Sequence, residues 1–142
     1  MTPTAILESA LYADDLDAAE DFYVRVMGLE RIARVPGRHV FFRCGAGVLL
    51  VFDPAATETP PPADARLPVP PHGARGPGHL CFAATAKEID RWKVHLTAHG
   101  VAVEADFKWP PKADESAGGR SIYFRDPAGN SLEFAEPRIW SK

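Results

Sequence analysis

Three side chains stand out because their chemistry does not suit their surroundings. Glu8, His79 and Glu133 each fall inside a short run that is otherwise apolar and reads as a strand. Burying a lone charge there costs several kcal/mol unless it is paired. An imidazole and two carboxylates converging on one divalent cation would remove that cost together. The alternative is that Glu8 and Glu133 pair with arginines such as Arg43 or Arg125 and hold no metal. Other chemistry-bearing residues surround this set. Tyr123 is either a proton donor or hydrogen-bond partner beside the cation, or a packing aromatic. His39 is either an acid–base group or an ordinary strand histidine. Phe41, Arg43, Val51, Ser121 and Arg125 are candidates for contacting a substrate. His95 and His99 stand four apart, but HLTAH lacks the glutamate of H-E-x-x-H, so solvated histidines are expected. No G-x-S-x-G elbow, phosphate-cradling glycine loop or C-x-x-C pair occurs.

These residues are placed by an internal repeat. GRHVFFRCGAGVLLVF (Gly37–Phe52) returns as GRSIYFRDPAGNSLEF (Gly119–Phe134) at an offset of 82. Upstream, ILESALYA (Ile6–Ala13) answers GHLCFAAT (Gly78–Thr85) at an offset near 71. Each copy reads strand, helix, strand, strand, strand, and a repeat of this length sets the whole fold. In the first copy, strands are expected at about Ala5–Ala13, Leu29–Val35, Arg38–Cys44 and Val48–Asp53. A helix is expected from about Leu16 to Met27, capped by Asp14-Asp15 and stopped by Gly28. In the second copy, strands are expected at Gly78–Thr85, Val101–Asp106, Gly119–Arg125 and Asn130–Ala135. Its helix is expected over Lys87–His99, and a loop over Phe107–Gly118 absorbs the change of offset.

Side chains alternate along a strand. The apolar face of each strand should receive the helix, which leaves Glu8 and His79 in equivalent places on the other face. DPAG at Asp126–Gly129 suits a three-residue loop with glycine in the left-handed region. That turn sets Tyr123 opposite Glu133 and Arg125 opposite Ser131, so Ser121, Tyr123, Arg125 and Glu133 share a face. Gap-free repeat symmetry then places His39, Phe41, Arg43 and Val51 on the matching face of the first copy.

Residues 54–77 are rich in proline, alanine and glycine, and proline there removes backbone donors. The segment reads as an extended linker between copies; the sharper alternative makes its end, PPHGARGPG, a lid that includes His72. The organisation expected is one domain over residues 1–142. It comprises modules at 5–53 and 78–136, joined by a linker at 54–77.

The bulk properties exclude several classes. A net charge of −3 with interspersed signs argues against a nucleic-acid surface. No apolar run is long enough to span a membrane, and MTPTAILESA shows no signal-peptide pattern. Cys44 and Cys81 fit reduced, buried thiols of a cytoplasmic protein rather than a disulfide framework.

With ILESALYADDLDAAEDFYVRVMGLE (Ile6–Glu30), GPGHLCFAAT (Gly76–Thr85) and YFRDPAGNSLEF (Tyr123–Phe134) in view, the chain resembles the vicinal oxygen chelate superfamily. That group holds the glyoxalases, bleomycin-resistance proteins and extradiol dioxygenases. The resemblance implies an α+β fold of two βαβββ modules, each curling a mixed sheet around a metal-binding trough. It implies metal ligands at Glu8, His79 and Glu133. The family's fourth position falls on Val51, which binds no metal, so open coordination sites are implied; this departs from four-ligand glyoxalase I proteins. The tail Y-x-x-D-P-x-G-x-x-x-E also fits the extradiol signature, but Asp114–Ser116 holds no histidine where that signature begins. Two carboxylates suit Fe, Mn, Zn, Ni or Mg. The implied function is a Lewis-acid lyase, isomerase or ring-cleaving dioxygenase on a small oxygen-bearing substrate. The alternative is a bleomycin-resistance-like protein that sequesters a small molecule without catalysis. A homodimer is implied, side by side or with modules exchanged.

Overall fold

A computed structural model describes residues 1–111 and 118–140. The chain divides into two compact units, Met1–Gly78 and His79–Lys142. Each contains a four-stranded mixed sheet.

In the first unit, β1 (Glu8–Tyr12), β2 (Glu30–Val35), β3 (His39–Cys44) and β4 (Gly47–Phe52) are ordered β1-β4-β3-β2. β1 runs parallel to β4, and the other pairs are antiparallel. The helix α1 (Leu16–Asp21) starts where Asp15 accepts a hydrogen bond from the Ala18 N–H at 2.9 Å. It does not continue as a regular helix to Met27. Phe22–Val26 forms a π turn, in which the Met27 N–H donates to the Phe22 carbonyl. The wider turn lets the adjacent pair Phe22 and Tyr23 both enter the core, at 5% and 0% exposure. Tyr23 packs on Phe42, with ring centroids 5.3 Å apart. The helix-side face of this sheet therefore carries Val40, Phe42, Leu49 and Val51, all buried.

In the second unit, β5 (His79–Ala83), β6 (Ala105–Lys108), β7 (Arg120–Arg125) and β8 (Ser131–Ala135) are ordered β5-β8-β7-β6. β5 runs parallel to β8. The helix α3 (Ala86–Ala98) buries Ile89 and Leu96, and stacks Trp92 on Phe134 at 4.5 Å. β6 begins later than the periodicity predicts, because residues 101–104 first close the helix end: the Val101 N–H donates to the Leu96 carbonyl. The expected loop at 107–118 includes 112–117, among them Asp114–Ser116, which lie outside the described residues.

α3 starts with a capping box. Thr85 accepts from the Glu88 N–H, and Glu88 accepts from the Thr85 N–H. Thr85→Ala removes one partner and is expected to cost about 1 kcal/mol, read as a lower urea midpoint with an unchanged slope.

Residues 54–77 belong to the first unit and do not form an extended spacer. A short helix, α2 (Pro54–Thr57), begins at Asp53, which accepts from the Ala55 N–H. The rest of the segment lies against the first sheet on the face opposite α1. It is fastened where Tyr12 Oη meets His72 Nδ1 at 2.7 Å and the His72 N–H donates to the Thr57 carbonyl at 3.0 Å.

Candidate functional site

The second unit places three of the singled-out residues together. Tyr123 faces Glu133 across β7 and β8, and His79 begins β5, on the other side of β8. Their side chains share the sheet face away from α3. The geometry depends on the turn at Pro127-Ala128-Gly129. Asp126 accepts from the Ala128 N–H, the Asn130 N–H and Asn130 Nδ2 at 2.9–3.0 Å, and Gly129 sits at φ +86°. The left-handed conformation there is the reason for glycine.

Glu133 is 5% exposed, and its Oε1 has no hydrogen-bond partner. Its Oε2 stands 3.3 Å from His79 Nε2. His79 Nδ1 lies 2.9 Å from the Ser131 carbonyl. A carbonyl only accepts, so Nδ1 carries the hydrogen. In the neutral imidazole, Nε2 then presents its lone pair toward a carboxylate. Two acceptors facing one another need a proton or a cation between them. The second nitrogen is fixed by a backbone carbonyl, which is how metal-binding histidines are commonly oriented. The donor set therefore fits a divalent cation. Neither glutamate is neutralised by an arginine among the described residues: Arg125 is held by Glu104 at 3.1 Å and also donates to the Gly129 carbonyl.

The carboxylate affects its neighbours. Burial, and then hydrogen bonding to Glu133 and its charge, push the Tyr123 hydroxyl up to about 12. Cys81, which pairs with Glu133 in register, has its thiol pushed up to about 12 by desolvation and then by Glu133. Cys81 is nonetheless an exposed residue and Cys44 half-buried, so the thiols are not both buried as composition suggested. An aromatic row extends from His79 through Tyr123 to Phe107, with ring centroids 6.1 Å and 5.8 Å apart.

Glu8 belongs to the first unit. It is exposed at the start of β1 and, among the described residues, has no ion-pair partner. It lines an open cavity of about 800 Å³ between the sheet and the proline-rich segment. Phe41 and His39 line the same cavity, stacked at 4.0 Å. Within either unit, no three His, Cys, Asp or Glu side chains gather as a metal-holding group among the described residues.

Several sequence expectations are corrected. Val51 does not share a face with His39 and Phe41: it is fully buried against Val40 on the helix side. Leu50 takes the place expected of it, opposite Phe41, as Glu133 stands opposite Tyr123. The reason is the turn. Cys44 pairs directly with Gly47, so Gly45-Ala46 is one residue shorter than Pro127-Ala128-Gly129. A one-residue slip moves every following side chain to the opposite face. Ser121 is fully buried and accepts from Trp109 Nε1 at 2.8 Å, so its hydroxyl is not presented to a ligand. Arg125 is occupied by Glu104, and Arg43 is exposed on the face with Phe41. The sequence reading missed Cys81, which lies two residues past His79 on the same strand face. It also missed the cavity wall at Leu50 and Phe52, which follows from register rather than from composition.

Desolvation, and then the Arg38 charge, lower the His39 pKa below its ordinary value. The unfolded chain therefore takes up this proton more readily, and His39 subtracts stability as pH falls below the unfolded value near 6.5. His39→Phe is expected to flatten the loss of urea stability between pH 7 and pH 5.5.

Two βαβββ units with an imidazole–carboxylate pair on a strand face define a class. Residues 5–134 match the Glyoxalase/Bleomycin resistance protein/Dioxygenase superfamily, and the chain belongs to it. A lactoylglutathione lyase from Agrobacterium tumefaciens is 48% identical, with a TM-score of 0.88 and 100% of both chains covered. A glyoxalase/bleomycin resistance protein/dioxygenase from Nocardioides is 22% identical, with a TM-score of 0.70, covering 96% of this chain and 85% of its own; it shows the fold alone. A search of curated proteins finds no match.

Proposed function

We propose that this chain is a divalent-metal-dependent lyase or isomerase of the glyoxalase kind, acting on a small substrate that offers oxygen ligands. One observation carries the proposal: a buried carboxylate, Glu133, faces an imidazole whose tautomer points a lone pair at it, and its second oxygen is unpartnered. The 48% identity to a lactoylglutathione lyase over the whole chain supports the same reading. Glu8, His79 and Glu133 would hold the cation, with Glu8 supplied by the same chain or by a second copy in a homodimer. When bound, the cation supplies a Lewis acid that polarises a carbonyl or enol oxygen of the substrate.

The chain's own residues do the rest. The Ser131 carbonyl holds His79 in the tautomer that frees Nε2. Glu133 supplies negative charge that is already desolvated. Tyr123, with its hydroxyl pushed up to about 12, stays protonated at neutral pH, and its single O–H would turn from Glu133 to a substrate oxygen as a hydrogen-bond donor, not as a base. Phe107 stacks against one side of Tyr123. His39 is neutral at pH 7 and able to accept a proton.

Tyr123→Phe is expected to lower kcat by about 10–100-fold, the worth of one hydrogen bond to a developing charge. KM should change little. Steady-state kinetics on the reconstituted enzyme checks this.

No helix among the described residues is long and apolar enough to cross a membrane, which is compatible with a cytoplasmic enzyme. The test of the proposal is anaerobic reconstitution with Fe²⁺, Mn²⁺, Ni²⁺, Zn²⁺ and Mg²⁺. Each form is assayed for isomerisation of the methylglyoxal–glutathione adduct and for catechol cleavage. Turnover of the adduct supports the proposal. Catechol cleavage with iron alone replaces it by a dioxygenase, and absence of bound metal replaces it by a sequestering protein.

A further inference from the structure

We propose that the cavity of the first unit binds a planar apolar group bearing a single anion, and that Arg38 receives the anion. This deepens the proposed function by naming a substrate class. The binding itself does not depend on Glu133.

The cavity is of ligand size, about 800 Å³, within the usual range of about 300–1,000 Å³. Its floor is aromatic. Phe41 and Phe52 meet edge-on, with centroids 5.3 Å apart at 76°, and His39 lies flat on Phe41 at 10°. Such a floor favours a flat ring over a branched or strongly hydrated group. Its roof is the proline-rich segment, already fastened by the Tyr12–His72 hydrogen bond. Little ordering cost is left for a ligand to meet.

The polar features of the cavity limit the ligand further. Arg38 lines it and has no carboxylate partner among the described residues. Arg25 is held by Asp21, Arg31 and Arg34 by Glu20, and Arg75 by Glu58. Arg43 and Arg66 also lack a carboxylate partner among the described residues, but of the three only Arg38 lines the cavity. His39 Nδ1 is buried without a hydrogen-bond partner, so a polar ligand atom would satisfy a group the protein leaves unmet. Glu8 also lines the cavity, and in the metal-free protein its charge opposes a second anion there. The ligand that fits is therefore an aromatic monoanion rather than a dianion or a sugar.

The test is isothermal titration of the full chain with 2-naphthoate, using 2-naphthylmethanol as the uncharged comparison. One saturable site per chain is expected, with the alcohol binding about tenfold or more weakly. Arg38→Gln should weaken naphthoate about tenfold and leave the alcohol unchanged. Phe41→Ala should weaken both. Glu133→Ala should bind naphthoate as the parent does, which separates this proposal from the metal reading. Absence of saturable binding, as when a second copy covers the cavity, overturns it. So does naphthoate binding that is indifferent to Arg38→Gln. Arg38 is a half-buried residue at a strand entrance, so its variant decides the matter even where Phe41→Ala fails to fold.

Discussion

Glu133→Ala is expected to abolish tight divalent-metal binding and to lower turnover by about 10³-fold or more, while changing the stability of the metal-free protein by less than about 1–2 kcal/mol. The contrast between those two effects is the point. Truncating a large buried side chain ordinarily costs about 2–5 kcal/mol, because packing is lost and a cavity remains. Glu133 is as buried as such a residue, at 5% exposure. It also carries a charge whose Oε1 finds no partner and whose Oε2 faces a histidine nitrogen. Removing it relieves a desolvation cost that offsets the packing loss. Urea unfolding in the presence of a chelator, set beside kinetics of the reconstituted protein, checks both halves. A structural carboxylate would give the reverse pattern, with a large loss of stability and surviving activity.

Asp126→Ala is expected to cost about 2–4 kcal/mol and to weaken metal binding through a residue that touches no ligand. Asp126 is 4% exposed and Asn130 is 1% exposed. The Asp126 carboxylate takes hydrogen bonds from the Ala128 and Asn130 backbone and from the Asn130 side chain. Alanine there leaves buried donors unmet, which is among the more expensive single changes a hairpin can suffer. The turn it holds leads directly into β8, so its loosening shifts Glu133 relative to Tyr123 and His79. Asp126→Asn keeps an acceptor and should retain a substantial part of the stability. Chemical denaturation and a metal titration of both variants separate the positioning role from a direct one.

The repeat made much of this architecture legible in the sequence. Alternation in ILESALYA and GHLCFAAT was enough to set Glu8 and His79 on the face away from the helices, because the apolar side of each strand has only one place to go. The DPAG turn was legible for the same kind of reason: its proline fixes φ, its glycine tolerates the left-handed conformation the turn needs, and Tyr123 was correctly paired with Glu133. Val51 was misread because gap-free similarity hid a difference of one residue between the two hairpin turns. Side-chain identity in GAG and PAGN does not reveal which residues pair across the strands. The π turn at Phe22–Val26 escaped because its residues keep a helical apolar spacing. The roof over the first sheet escaped because proline content argues against regular structure but says nothing about what an irregular segment packs on. Tyr12 and His72, the two residues that fasten it, are 60 apart in sequence, and nothing local links them. Ser121 and Arg125 were placed on the right face, yet their partners, Trp109 and Glu104, come from the poorly patterned stretch before β7.

The most direct test of a single cation shared by Glu8, His79 and Glu133 is anomalous diffraction from crystals grown with Zn²⁺. The account predicts one strong peak about 2.0–2.2 Å from His79 Nε2 and from carboxylate oxygens of Glu133 and Glu8, with Glu8 from the same chain or from a second copy. A peak coordinated without Glu133, or no peak at His79 in metal-saturated crystals, would contradict it.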